Sequence, residues 1–234
     1  MNMNKTHNIE IREVTTPREL RLFVDYPNVL YKDVKQHVPA IFDSDLADWN
    51  PKKNPAFSYC EAKCFLAYRD GEIVGRIGAI LSHKANQTWN TSRMRFSQVD
   101  FIDDREVSSA LFAAVEDWAR SKGCTQVHGP LGFCDLDREG MLVEGFDRRS
   151  MFITYYNHPY YNDHLAALGY GKDTDWVENL IVILIVGAIV GLASGYIYKA
   201  KKRGQKCIGC PDASTCSGHC SGNCSGCNGA CGHK

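Results

Sequence analysis

Cysteine offers the clearest chemistry in this sequence, and it is concentrated at one end. Seven of the eleven cysteines lie within residues 207–234, together with two histidines. Thiolates and imidazoles bind soft transition metals such as Zn(II), Fe(II) and Cu(I), and the spacing alone does not choose among these ions. The predicted metal ligands are Cys207, Cys210, Cys216, Cys220, Cys224, Cys227, Cys231 and His219.

The Cys-rich tail, 207–234, has almost no bulky apolar residues. It cannot bury a core, so we expect it to be disordered until a metal, Zn or Fe, organises it. A disulfide-bonded tail is the alternative, and that would require an oxidising compartment. The side of the membrane on which the tail lies therefore decides its chemistry.

A membrane span precedes the tail. Residues 180–198 contain no charge, and nineteen helical residues are roughly 28 Å long, close to the thickness of the bilayer's hydrocarbon core. The sequence predicts a transmembrane helix over 179–198, followed by a basic juxtamembrane segment over 199–206. A buried helix of a soluble protein is the alternative, but such a helix is rarely apolar on every side.

Glycine recurs at every fourth position of the predicted span, at Gly187, Gly191 and Gly195. These residues share one helix face and would let a second helix approach closely, which predicts a helix partner or self-association. The general enrichment of glycine in membrane helices would give the same pattern.

Charge places the two ends on opposite sides of the inner membrane. Basic residues follow the span and acidic residues precede it, so the tail is predicted to be cytoplasmic and the front domain, 1–178, to lie outside. The first residues contain no apolar run and predict no signal peptide. The export of so large a domain without a signal contradicts this orientation, so either the front domain stays inside or the chain fuses two separate reading frames.

The front domain has the pattern of a mixed α/β fold. "NIEIREV" predicts a strand, "TTPRELRLFVDYPNVLYKD" a capped helix, and "FLAYRDGEIVGRIGAILSH" two strands joined by Asp70-Gly71. "MRFSQVDFI" predicts a further strand and "DDREVSSALFAAVEDWARSKG" an amphipathic helix. "TQVHGPLGF" then predicts a buried strand and "YYNDHLAALGY" a short helix.

The rest of the front domain gives weaker signals. It carries 21 Lys or Arg against 26 Asp or Glu, and no nucleic-acid partner is predicted. Its four dispersed cysteines are expected to be buried and reduced. The acidic, glycine-rich stretch "LGFCDLDREGMLVEGFD" is a candidate binding loop, although a solvated turn would look the same.

These elements, with the motifs "YPNVLYKD", "VHGPLGF", "LVEGFD" and "YNHPYYNDHLAALGYGKDTDW", resemble the GNAT superfamily of acyl-CoA-dependent N-acyltransferases. The resemblance implies a GNAT-like mixed sheet with flanking helices and acetyl-CoA as cosubstrate. It also implies a pyrophosphate at the N-terminus of the central helix, near Arg105, Ser108 and Ala110. Ser108 stands where the family has glycine, and neighbouring acids would equally cap an ordinary helix.

The resemblance also implies a tyrosine that donates a proton from the late helix. The position in register is Leu165, which leaves Tyr156, Tyr160 and Tyr161 as candidate catalytic residues. Packing of these rings against the sheet is the alternative.

Residues 179–234 resemble a small family of single-span, Cys-rich bacterial membrane proteins associated with the FeoB ferrous iron transporter. That resemblance implies a role beside ferrous iron uptake. The sequence thus supports two hypotheses. One is a membrane-tethered accessory protein of ferrous iron transport with a metal-binding tail, and the other is a membrane-anchored N-acyltransferase that uses acyl-CoA.

Overall fold

The computed structural model describes residues 8–39, 41–150, 154–173 and 176–202. The chain divides into two units, Met1–Gly171 and Lys172–Lys234, and each is described by itself.

A five-stranded mixed sheet forms the centre of the first unit. Its strands are β1 (Glu10–Glu13), β2 (Cys60–Arg69), β3 (Glu72–Ser82), β4 (Arg93–Phe101) and β5 (Gln126–His128). They lie in this order across the sheet, and every neighbouring pair is antiparallel except the parallel pair of β4 and β5. Asp70 and Gly71, which join β2 to β3, both have positive φ (52° and 86°), as a type I′ turn requires. The predicted hairpin is confirmed.

Within the described residues of the first unit, five helices and one 3₁₀ turn flank the sheet. The helices are α1 (Pro17–Leu30), α2 (Phe42–Asp48), α3 (His83–Trp89), α4 (Arg105–Ser121) and α5 (Tyr160–Ala167), and the 3₁₀ turn is Pro55–Ser58. Thr16 caps α1 and forms a capping box with Glu19, as the Thr-Pro start of that segment predicts.

Alternate side chains of β2 and β3 enter two apolar cores on opposite faces of the sheet. Phe65 and Ile77 pack in one core with the buried face of α4. Leu66 and Ile80 pack in the other core with residues of α1 and α2. The expected α/β fold, a mixed sheet with flanking helices, is therefore confirmed.

The strand predicted over 125–133 is shorter than expected. β5 ends at His128, because Pro130 has no backbone N–H for a sheet ladder and the chain turns away at Gly129. The N–H of Leu131 then donates to the carbonyl of Phe96 at 2.9 Å.

The dispersed cysteines of the first unit are all free thiols. Cys60 and Cys64 are buried, as predicted, whereas Cys124 is half-buried and Cys134 is exposed. The expectation that all four pack as small apolar groups is therefore wrong for Cys134.

The second unit contains α6 (Trp176–Lys202). Within the described part of the chain, no helix combines the length and hydropathy needed to cross a membrane. The side chains of residues 179–183, where the predicted span begins, lie outside that part. A Cβ added at Gly187, Gly191 or Gly195 would meet no described atom within 4 Å, and the helix partner stays a prediction.

The Cys-rich tail and its predicted ligands, from Cys207 to Cys231, lie outside the described residues. Among the residues that are described, no group of His, Cys, Asp or Glu is arranged to hold a metal ion. The metal site, the disulfide alternative, the sidedness of the tail and the link to ferrous iron transport all remain predictions.

Candidate functional site at the end of β4

A bulge shapes the end of β4. Arg76 lies opposite Asp100 and Gly78 lies opposite Ser97, so β4 holds one more residue than β3 between these pairs. Gln98, inside the bulge, has φ 43°. A bulge bends its strand and redirects side chains. Three polar residues of β4 around this bulge, Ser97, Gln98 and Asp100, are buried.

A buried ion pair joins β3 to β4. Arg76 Nε donates to Asp100 Oδ2 at 2.7 Å, and Arg76 Nη1 donates to the carbonyl of Phe23 at 2.7 Å. Tyr31 donates its hydroxyl proton to Asp100 Oδ1 at 2.8 Å. Because both carboxylate oxygens have donors, the cost of burying the pair is largely offset.

Two of the predicted catalytic tyrosines bind the backbone of β4. The hydroxyl of Tyr161 accepts from the N–H of Phe101 at 2.8 Å and lies 2.8 Å from the hydroxyl of Tyr31. Tyr160 donates to the carbonyl of Phe101 at 2.6 Å. Burial raises the pKa of Tyr31, Tyr160 and Tyr161, so these hydroxyls stay protonated at neutral pH.

The hydroxyls of Tyr161 and Tyr31 form a short hydrogen-bonded chain that ends at Asp100. Since Tyr31 donates to Asp100, Tyr161 is left to donate to Tyr31. The ring of Tyr161 also stacks on Phe101, with centroids 4.1 Å apart. The third candidate, Tyr156, is buried with its ring centroid 5.2 Å from that of Tyr31. Catalysis by these three tyrosines stays a prediction.

The residues predicted to hold the pyrophosphate lie in the first turns of α4. Arg105 is exposed, Ala110 is half-buried and Ser108 is buried beneath α5. Ser108 Oγ lies 2.9 Å from His164 Nδ1, and His164 Nε2 lies 3.0 Å from Asp103 Oδ1. If Nε2 donates to Asp103, Nδ1 accepts from Ser108.

This Ser-His-Asp arrangement has the composition of a hydrolytic triad. Ser108 is only 1% exposed, however, so a substrate carbonyl has no access to its hydroxyl. A nucleophile must reach its electrophile, and here the contacts serve to hold α5 against α4.

The N-terminus of α4 does not fit a pyrophosphate. Asp104 caps the helix, and its Oδ1 accepts from the N–H of Glu106 at 2.8 Å. Its Oδ2 accepts from Arg69 Nη2 at 2.6 Å. Burial alone would raise the pKa of Asp104, but these hydrogen bonds outweigh burial and lower it. A carboxylate of the chain itself therefore occupies the position that an anion would take.

A small polar cavity lies beside the ion pair, between α1, α2, Arg138 and residues 154–156. It measures about 30 Å³, room for roughly two waters. We call it the polar cavity, and its polar lining includes Tyr31, His37, Asp45, Arg76, Asp100 and Arg138. Arg138 pairs with the buried carboxylate of Asp45.

His37 differs from the other polar groups of the cavity. Both of its ring nitrogens are buried, and neither has a hydrogen-bond partner among the described residues. Burial also lowers the pKa of His37 and favours the neutral ring. A neutral imidazole has one donor and one acceptor to offer, so His37 can exchange a proton with a group placed in the cavity.

Sequence reasoning missed most of the polar cavity. A visible signal was present, because Arg76 in "IVGRIGAI" and Asp100 in "VDFI" stand between apolar residues. Charges buried in a strand need a partner, and these two are partners. Arg138 belongs to the stretch proposed as a binding loop.

Comparison with known proteins gives two curated relatives. "Protein YghO" of Escherichia coli is 30% identical over 165 residues, which are 70% of this chain and 42% of that protein. "Bacterial ceramide synthase" of Caulobacter vibrioides is 32% identical over 168 residues, 71% of this chain and 44% of that protein. The chain thus spans less than half the length of both relatives. No protein-family model matches the sequence.

Solved structures give weaker similarities. A tandem GNAT protein from the clavulanic acid biosynthesis pathway superimposes with a TM-score of 0.47 and 15% identity, over 71% of this chain and 45% of that one. AAC(6')-Iy in complex with a bisubstrate analog has a TM-score of 0.43 and 16% identity, over 72% and 94%. A transcriptional regulator from Bacillus halodurans has 0.42 and 15%, over 72% and 96%. Scores below 0.5 do not establish a shared fold.

Proposed function

We propose that the first unit is a GNAT-like part of an N-acyltransferase, a protein that transfers an acyl group to an amine to form an amide. The observation that carries this proposal is the 32% identity over 168 residues to a protein named a bacterial ceramide synthase. The matched length is close to that of the first unit, Met1–Gly171. The mixed sheet with helices on both faces and the sequence motifs favour the same family.

Within this proposal the polar cavity is where the unit can act on the amine. An ammonium group must lose a proton before its nitrogen can attack an acyl carbon. Burial lowers the pKa of His37, and its ring nitrogens have no partner among the described residues, so it is suited to accept that proton. Asp100 and Asp45 line the same cavity, and their charges are balanced by Arg76 and Arg138. No step of the transfer is assigned to the N-terminus of α4.

A domain exchange tests the proposal. In Caulobacter vibrioides, the matching stretch of the ceramide synthase is replaced by residues 8–173 of this chain, and lipid extracts are analysed by mass spectrometry. We expect the ceramide product to exceed that of a strain lacking the enzyme by at least tenfold. The control is the same exchange with His37→Phe, which should lose the product while the protein accumulates normally.

If the unsubstituted exchange protein accumulates at the level of the native enzyme and forms no product, the proposed function is wrong. If His37→Phe forms product at the same rate, the amine does not transfer its proton to His37.

A further inference from the structure

The α4 corner is the set of side chains that close the N-terminal end of α4: Arg69, Asp103, Asp104, Ser108 and His164. Asp103, Asp104, Ser108, His164 and Arg69 Nη2 have partners within the unit, whereas Arg69 Nε is buried without a partner among the described residues. We infer that the acyl-CoA of the proposed N-acyltransferase is not held at this corner, and that the corner instead locks α5 onto α4 and β4. The inference rests on the proposed function, which requires an acyl donor to be bound somewhere.

The first reason is the use of the helix amides. An anion at a helix N-terminus binds through the N–H groups of the first turn. The carboxylate of Asp104 accepts from the N–H of Glu106 at 2.8 Å. Arg69 holds this carboxylate in place from β2. A pyrophosphate would therefore have to displace the carboxylate of Asp104, which is already paired with the guanidinium of Arg69.

The second reason is charge. Asp103, Asp104 and Glu106 place three carboxylates around the first turn. Arg69 already pairs with Asp104, and Arg105 is the remaining basic residue of that turn. Like charges repel, and a pyrophosphate at this turn would lie beside all three carboxylates.

The third reason is access. Ser108 stands at the position where the GNAT resemblance expects a glycine that leaves the helix face open. Its side chain is instead covered by α5, and its hydroxyl meets His164 at 2.9 Å. The ring of His164 also packs 5.3 Å from that of Phe101. The space beside this turn is therefore filled by the chain's own residues.

The positive role of the corner follows from what α5 carries. His164 fixes the middle of α5, while Tyr160 and Tyr161 from its first turn bind the backbone of Phe101. The corner thus positions Tyr161 to complete the hydrogen-bonded chain through Tyr31 to Asp100. His164 and Ser108 are therefore positioning residues. They hold α5, and Tyr161 of α5 contacts Tyr31, which lines the polar cavity.

Hydrogen exchange on the full chain tests the inference. The purified protein, in detergent, is incubated with and without millimolar acetyl-CoA, and exchange of the backbone amides is followed by mass spectrometry. We expect no added protection of residues 103–110. Arg105→Ala should bind acetyl-CoA as the unchanged chain does, within twofold, at whatever site binds it.

Protection of residues 103–110 by acetyl-CoA, together with at least tenfold weaker binding in Arg105→Ala, would overturn the inference. An aminoglycoside acetyltransferase treated in parallel verifies that the acetyl-CoA is competent. This result is separate from the domain exchange: a failed exchange with an unprotected corner removes the proposed function alone, and a protected corner with a successful exchange removes this inference alone.

Discussion

Two histidines with opposite surroundings mark the two polar regions of the first unit. At the α4 corner, both ring nitrogens of His164 have partners, Ser108 and Asp103. At the polar cavity, neither ring nitrogen of His37 has a partner among the described residues. A satisfied buried imidazole stabilises the fold, whereas an unsatisfied one costs free energy and keeps its capacity to bind.

The tyrosines repeat this contrast. The hydroxyl of Tyr161, on the side of the α4 corner, has contacts with Phe101 and Tyr31. The hydroxyl of Tyr26, on α1, is buried without a partner among the described residues. Among the described residues, Tyr26 and His37 leave three unsatisfied atoms on the side of α1 and the cavity, against Arg69 Nε at the α4 corner. The cavity side is therefore the better candidate for a ligand.

The largest effect is expected where the two regions meet, at Asp100. Asp100→Leu removes the carboxylate that pairs with Arg76 and leaves its guanidinium charge buried at 3% exposure. We expect the free energy of unfolding to fall by about 3–5 kcal/mol. Urea denaturation followed by tryptophan fluorescence measures it.

The control for this variant is Asp117→Asn, which changes a carboxylate that is 76% exposed. Its effect should stay within about 0.5 kcal/mol. If Asp100→Leu lowers the free energy of unfolding no more than the control does, Asp100 does not stabilise the buried charge of Arg76. The hydrogen-bonded chain from Tyr161 to Asp100 would then not connect the two regions energetically.

The next effect concerns the α4 corner. His164→Ala removes a buried ring and leaves Ser108 Oγ with only the carbonyl of Arg105, at 3.2 Å, among its described partners. We expect a loss of about 2–3 kcal/mol. Ser108→Ala alone should cost about 1 kcal/mol. Because the two side chains contact each other, the double variant should cost less than the sum, by about 1 kcal/mol. Strictly additive losses in urea denaturation would show that Ser108 and His164 do not stabilise each other.

Local patterns in the sequence predicted much of the fold. Asp70-Gly71 is typical of a turn with positive φ at both residues, so the hairpin could be predicted from these two residues. The apolar residues of α4 recur at helical spacing, so that helix could be predicted as well. The helices α2 and α3 were not predicted. Each has only seven residues, too few for a periodic signal, and tertiary contacts decide such segments.

The site was harder to predict, because it depends on residues far apart in the chain. Arg76 and Asp100 each stand out in the sequence as charges between apolar residues. Their pairing, however, depends on the register of β3 and β4 and on a bulge, and no local motif predicts that bulge. The predicted tyrosines do reach β4. The sequence alone did not show that the hydroxyls of Tyr160 and Tyr161 would form hydrogen bonds with the backbone of Phe101.

A smaller effect, of opposite sign, is expected at His37. His37→Phe keeps a ring of similar shape and removes two unsatisfied buried nitrogens, so it should stabilise the unit by about 1 kcal/mol at neutral pH. The lowered pKa of His37 also means that the folded state binds its proton less readily than the unfolded state does. Stability should therefore fall as pH drops below the ordinary value of 6.5, and the variant should lose part of that fall.

Thermal unfolding across this pH range measures both effects of His37→Phe. The matched control is His83→Phe, at a histidine that is 58% exposed and contacts Glu61. A clear destabilisation by His37→Phe at neutral pH would mean that its nitrogens are satisfied, and the contrast with His164 would disappear.

The smallest effect is expected at Asp48 on α2, whose pKa is affected by Asp45 of the polar cavity. Burial, followed by the charges of Asp45 and Asp137, raises the pKa of Asp48 from 3.8 to about 6. Between these two values the folded state holds a proton that the unfolded state has released, so stability falls as pH rises through this window and stays lower above it. Asp48→Asn removes this cost, and since the side chain is partly exposed we expect a gain of only about 0.5–1 kcal/mol at neutral pH. At a pH below 3.8 both states carry the proton and the gain should vanish. Urea denaturation at neutral pH and below pH 3.8 measures the gain in the free energy of unfolding. An equal gain at both pH values would mean that the stabilisation does not come from removing the charge of Asp48.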